Sequence, residues 1–247
     1  MIRDAASPNH DERPPGEPID TLVLHYTGMR TAEEAIGRLR DPASRVSAHY
    51  VVEEDGLVWR LVPEGRRAWH AGVSHWRGRE SLNGRSIGVE VVNPGHEWGY
   101  RPFAALQMAA VCDLCLDILA RHPIAARDVV AHSDISPDRK QDPGELFDWE
   151  GLAASGVGLW PRRAATGCAT ARAPDTAAVV TGFLGAIGYR TDLPSEVLLS
   201  AFQRRWRPER VDGVADAGTL RRLAEVAAAH GAGTDSPGID AGGAARA

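Results

Sequence analysis

Long apolar runs are missing from this chain: the longest stretches of consecutive apolar residues span only a few positions, far short of the ~18 that a membrane-crossing helix needs. No transmembrane segment is therefore expected. Cysteine is scarce, at three in 247 residues, and an odd number cannot all pair, so no disulfide scaffold is expected either. Positive charge is not in excess. A net charge of −5 offers no electrostatic footprint for a polyanion, which excludes nucleic acid as the expected partner. Met1 to Asp20 is polar and proline-rich and lacks the apolar core of a secretory signal. With the cysteine count, this points to a reducing cytoplasm, or to the periplasm if the true start or the export route differs. No internal repeat is visible, which excludes a solenoid or propeller.

What remains is an ordinary globular composition, 43% hydrophobic and 25% charged, in a length that suits one large domain or one large and one small. Alanine and arginine crowd residues 161–173, with one glycine, and show no apolar periodicity, a linker pattern that divides the chain. Before it, β-type runs occur at Thr21–His25, Ala48–Val52, Leu57–Val62, Ile87–Val92 and Val129–His132. Asp55-Gly56 suits a tight turn with positive φ, so the runs on either side of it should pair antiparallel. Thr31 with Glu34 forms a capping-box pattern for a short helix to Arg40, and a longer helix is expected from Phe103 to Arg121. Its buried stripe is expected on Phe103, Leu106, Ala110, Leu114 and Ile118. The pattern predicts an α/β domain over 20–160, a mixed central sheet flanked by helices, preceded by an N-terminal extension over 1–19. Few contacts are expected across the linker, so residues 1–160 should fold alone.

Beyond the linker, helices are expected at Asp175–Ile187, Pro194–Trp206 and Asp216–Ala229, with Asp175 and Asp216 as N-caps and Gly188 as a stop. They predict a small three-helix bundle over 174–230. The tail, 231–247, has too little apolar surface to order itself.

Two histidines end β-type runs: His25 after Leu22-Val23-Leu24, and His132 after Val129-Val130-Ala131. Strand ends bring distant side chains together at the sheet edge where ligands bind. Asp142 follows His132 by ten residues in a turn-rich loop, and two imidazoles with one carboxylate make a catalytic zinc set with a fourth position open. A lone histidine at a strand end is more commonly a partly buried hydrogen-bonder. Two of them with a nearby aspartate shift the balance toward a metal site.

The runs His25-Tyr26-Thr27-Gly28, Ser47-Ala48-His49-Tyr50, Trp69-His70-Ala71-Gly72, Ile87-Gly88-Val89-Glu90, and His132-Ser133-Asp134-Ile135 through Lys140-Gln141-Asp142-Pro143-Gly144 resemble, in order, the type 2 N-acetylmuramoyl-L-alanine amidases. Those zinc enzymes cut the peptide from the peptidoglycan sugar. The resemblance implies zinc on His25, His132 and Asp142, Glu90 as the acid/base carboxylate, and Lys140 as a charge stabiliser. Asp142 stands where some relatives carry a cysteine.

Read from residues alone, Glu90 shares a strand face with Gly88 and Val92, and a carboxylate there is either a base or the partner of an arginine. Lys140 points to the same side as Asp142 in an extended loop, where it either meets a developing oxyanion or is simply solvated. His49 and His70 line the cleft or orient a neighbour through a ring N–H, and are not taken as ligands. Gly72, Asn83 and Arg85 lie in a long connection that would suit substrate. Trp69 and Trp76 pack either on sugar or on the core, with the core preferred. Cys112 and Cys115 suit helix packing, and Cys168 the linker.

Gly188-Tyr189, Ala201-Phe202-Gln203 and Asp212-Gly213-Val214-Ala215-Asp216 followed by Thr219-Leu220 resemble a three-helix peptidoglycan-binding module. A monomeric zinc amidase acting on peptidoglycan or muropeptides is therefore expected. The competing expectations are a catalytically silent peptidoglycan-recognition protein on the same fold and a zinc hydrolase of unrelated amides.

Overall fold

Valine, isoleucine and leucine concentrate in short runs whose alternate side chains suit the two faces of a pleated sheet, and these runs form the strands. The computed structural model describes residues 2–161 and 176–232. In chain order the strands are β1 (Ile2–Asp4), β2 (His10–Glu12), β3 (Thr21–Tyr26), β4 (Tyr50–Val52), β5 (Val58–Arg60), β6 (Arg66–Ala68), β7 (His75–Trp76), β8 (Arg79–Glu80), β9 (Ser86–Val91) and β10 (Val129–Ala131). Six of them form the central sheet in the order β1-β5-β4-β9-β3-β10. It is mixed. The β4–β5 pair is antiparallel across the Asp55-Gly56 turn, whereas β4, β9, β3 and β10 run parallel.

The helices are α1 (Ala32–Arg40), α2 (Gly95–Trp98), α3 (Ala105–Arg121), α4 (His132–Ile135), α5 (Trp149–Ala154), α6 (Thr176–Ile187), α7 (Ser195–Trp206) and α8 (Ala217–Ala232). Thr31 caps α1 by accepting from the Glu34 amide, and Asp216 caps α8 by accepting from the Thr219 amide. One face of the sheet, with Leu22, Leu24, Val89 and Val91, packs on α3 and α5. Val23 and Val130 face the other way, into a core shared with α6, α7 and α8.

Three expectations need correction. Residues 1–19 are not merely an extension, because β1 pairs with β5 at the sheet edge and β2 pairs with β6. Backbone pairing at an edge needs no apolar alternation, so those exposed residues gave no strand signal. The inward stripe of α3 is Gln107, Val111, Leu114, Cys115 and Ile118, while Leu106 is 69% exposed. The stripe is displaced because the Gln107 amide is buried, donating to the Val52 and Val92 carbonyls, a polar anchor that apolar periodicity assigns outward.

The third correction concerns the boundary near Pro161, which many contacts cross. Trp76 lies edge-on to Tyr189, Trp160 stacks on Trp206 at 5.5 Å, and Arg222 donates to the Pro161 carbonyl at 2.9 Å. The linker composition, Cys168, the cap at Asp175 and most of the 231–247 tail lie outside the described residues. No helix among the described residues is long and apolar enough to cross a membrane.

Candidate active site

Strands β3 and β9 are in parallel register, with Val23 beside Gly88 and His25 beside Glu90. Since Leu22, Leu24, Ile87 and Val89 face α3, the period of two sends His25 and Glu90 to the opposite face. On the other side of β3, β10 ends at Ala131 and His132 opens α4. Asp142 comes from the following loop, where the Ser133 amide donates to its carbonyl at 3.0 Å. The Tyr100 hydroxyl donates to the Pro143 carbonyl at 2.8 Å and accepts from the Leu146 amide at 2.9 Å, which clamps that loop. A Cβ on Gly144, at φ +87°, would lie 2.2 Å from the Tyr100 hydroxyl, so only glycine fits there.

His25 Nδ1, His132 Nδ1 and Asp142 Oδ2 meet at separations of 2.9–3.0 Å, all three residues buried. The outward hydrogen bonds decide which ring nitrogens carry protons. His132 Nε2 faces the Ala71 carbonyl at 3.3 Å, which can only accept, so Nδ1 is left as a bare lone pair. His25 is oriented through two further side chains, His70 and Ser86. Ser86 Oγ donates to the Leu82 carbonyl at 2.7 Å and so accepts from His70 Nε2 at 3.1 Å. His70 Nδ1 is then an acceptor and takes the proton of His25 Nε2 at 3.1 Å, which bares His25 Nδ1. Two lone pairs and a carboxylate oxygen thus converge on one point, a set of acceptors that a cation would reconcile and that fits zinc.

Burial, with His132 alongside, holds His25 down to about 4, and burial with His25 alongside pushes His70 well below its usual value. Both rings are neutral at neutral pH. Burial would raise the Asp142 carboxyl, but His132 and His25 more than offset it and keep the carboxylate ionised. Glu90 behaves oppositely: burial, then the charge of Asp142, raises it well above the carboxylate range, with Lys140 opposing. Its Oε2 is out of solvent and has no hydrogen-bond partner among the described residues.

These groups open into a cleft of about 650 Å³ whose lining includes Trp69, His70, Glu90, Arg139 and Lys140. The Tyr26 hydroxyl, His96 and Glu145 are joined by hydrogen bonds at its rim. Lys140 thus lies in the same cleft as Asp142. His70 lines it and touches His25, whereas His49 is fully buried, accepting from the Gly88 amide at 2.9 Å and reaching the Arg66 carbonyl at 3.1 Å. Trp76 is in the core, but Trp69 is not, because it lines the cleft. Asn83 accepts from the His70 and Ala71 amides and, with Gly72, lines a pocket shared with His132, Arg139 and Lys140, whereas Arg85 pairs with Asp20. Sequence reasoning missed Ser86, whose role depends on the close approach of His70 across Gly88. A Cβ on Gly88 would sit 2.4 Å from that ring. Cys115 is buried in the α3 core, as packing requires.

Residues 15–145 match the family described as N-acetylmuramoyl-L-alanine amidase. The chain belongs to that family. The amidase is 39% identical over 223 residues to N-acetylmuramoyl-L-alanine amidase AmiD of Escherichia coli, a match covering 81% of this chain and 79% of that protein. It is 34% identical to 1,6-anhydro-N-acetylmuramyl-L-alanine amidase AmpD of Haemophilus influenzae, covering 62% of this chain and 91% of the relative. Among solved structures, E. coli AmiD in complex with anhydro-N-acetylmuramic acid-L-Ala-D-gamma-Glu-L-Lys has a TM-score of 0.75 at 36% identity, covering 87% of this chain and 91% of that one. AmpDh3 of Pseudomonas aeruginosa with anhydromuramic pentapeptide has a TM-score of 0.77 at 32% identity, covering 86% and 92%. The amidase shares with both a fold that extends beyond the matched 15–145 segment.

Proposed function

We propose that this amidase hydrolyses the amide between the lactyl group of N-acetylmuramic acid and L-alanine, in peptidoglycan or soluble muropeptides, with zinc held by His25, His132 and Asp142. The observation that carries the reading is the convergence of three bare acceptor atoms beside a carboxylate with an unpartnered buried oxygen. Zinc held there would supply a Lewis acid and would lower the pKa of a water to ~7. With a cation held beside it to favour its ionised form, Glu90 would take a proton from the attacking water and return it to the leaving L-alanine amine. Lys140 offsets the negative charge that develops on the amide oxygen. His70 and Ser86 hold the His25 ring in its ligating tautomer. Relatives whose structures hold anhydromuramyl peptides support the substrate class.

The silent-recognition alternative is disfavoured by Glu90, since a pure binder gains nothing from a buried carboxylate oxygen left without a partner. About one zinc per chain is expected by elemental analysis, with activity on a soluble anhydromuropeptide lost in chelator and restored by zinc. Full activity in a metal-free chain would reject the reading. We assign the three-helix unit a role in binding the insoluble wall, on the strength of its motifs around Phe202 and Asp212. Retention on sedimented peptidoglycan should survive saturation of the cleft with soluble muropeptide. Complete release by that competitor would refute the assignment.

A further inference from the structure

The turn that carries His132 is held from the far side of the chain. Asp134, two residues on, accepts from the Ala131 amide at 2.9 Å, from the Tyr189 hydroxyl at 2.5 Å, and from Arg205 Nη1 at 2.5 Å. Arg205 Nη2 donates to the Val129 carbonyl at 3.0 Å, so one guanidinium grips the chain on both sides of His132. Arg205 is 2% exposed, and its guanidinium lies 4.0 Å from the Trp149 ring and 4.2 Å from the Trp206 ring, which leaves it no alternative partner in water. The adjacent Arg204 reaches Glu145 at 3.7 Å, on the loop that follows Asp142. The two loops are tied together by the Ser133 amide on the Asp142 carbonyl. Helix α7 therefore contacts both segments that supply the second and third acceptor atoms of the site.

We propose that Arg205 is a positioning residue for the metal centre: the three-helix unit, through Arg205 on Asp134 and Val129, sets the placement of His132 relative to Asp142 and thereby the affinity for zinc. A buried guanidinium paired to a buried carboxylate holds its geometry tightly, because either charge left alone is costly. Partners beyond the ligands alter metal affinity by ~10–100-fold when removed. The inference rests on the zinc reading given above.

The test measures the zinc dissociation constant of full-length protein by competition with a chelating dye, together with apo-protein melting and kcat and KM on a soluble anhydromuropeptide. Arg205→Met keeps the apolar stem and removes both donors. Its zinc affinity should fall ~10–100-fold, with kcat reduced and KM little changed, at a temperature where the apo variant is fully folded. Arg205→Lys should recover part of the loss. If Arg205→Met does not fold, Tyr189→Phe decides, since it removes one hydroxyl from Asp134 and should weaken zinc binding several-fold. Zinc affinity equal to the parent in a folded Arg205→Met, or in Tyr189→Phe if the former does not fold, overturns this inference alone. A parent chain that takes up no zinc overturns the functional reading and this inference with it.

Discussion

Glu90 and His25 stand side by side because two parallel strands are in register, and each lies opposite its own strand's apolar face. The carboxylate is assigned the proton transfer, and Glu90→Gln preserves its size and the ligand atoms while removing the base. Zinc content should be unchanged and turnover should fall ~10²–10⁴-fold. Parent-level hydrolysis of a soluble muropeptide by Glu90→Gln would reduce Glu90 to a structural role. At this scale, much of the site was legible: His25 and His132 end strand patterns, and Asp142 sits in a turn-rich loop. The ring orientations were not. They depend on Ser86, the Ala71 carbonyl and the Leu82 carbonyl, contacts made between segments whose spacing in sequence carries no period. The pairing of Arg205 with Asp134 was invisible for the same reason, since a buried ion pair between distant elements leaves no local pattern.

Among the elements, the β3, β9 and β10 runs read correctly because a strand buried on both faces is a nearly continuous apolar segment. The Asp55-Gly56 hairpin followed from turn chemistry alone. Helix α3 was found but rotated, since a stripe chosen for apolar residues skips Gln107, whose burial is explained only by two strand-end carbonyls needing a donor. The two assignments agree on Leu114 and disagree on Leu106, eight residues earlier. Leu114 is 3% exposed and Leu106 is 69% exposed. In urea melts Leu114→Ala should cost about 2–5 kcal/mol, as truncation of a buried leucine does, while Leu106→Ala should stay within about 0.5 kcal/mol. A large loss at Leu106 would restore the stripe read from periodicity.

Over the whole molecule, the sheet-bearing unit and the three-helix unit share one core that includes Val23, Trp76, Val130, Phe202 and Trp206. Composition near Pro161 suggested independent parts, because an alanine- and arginine-rich connection reports on itself and not on the surfaces that meet beyond it. The shared core places the catalytic face and the helical unit on the same side of the sheet, with Arg205 joining them. The central claim remains chemical: His25, His132, Asp142 and Glu90 cut a single amide. Its most direct test is mass spectrometry of the products formed from anhydro-N-acetylmuramyl-tetrapeptide by the zinc-loaded chain, beside His25→Ala. The account predicts anhydro-N-acetylmuramic acid and an intact tetrapeptide beginning with L-alanine from the parent, and neither product from His25→Ala. Cleavage at another bond, or the same products at the same rate from His25→Ala, would contradict it.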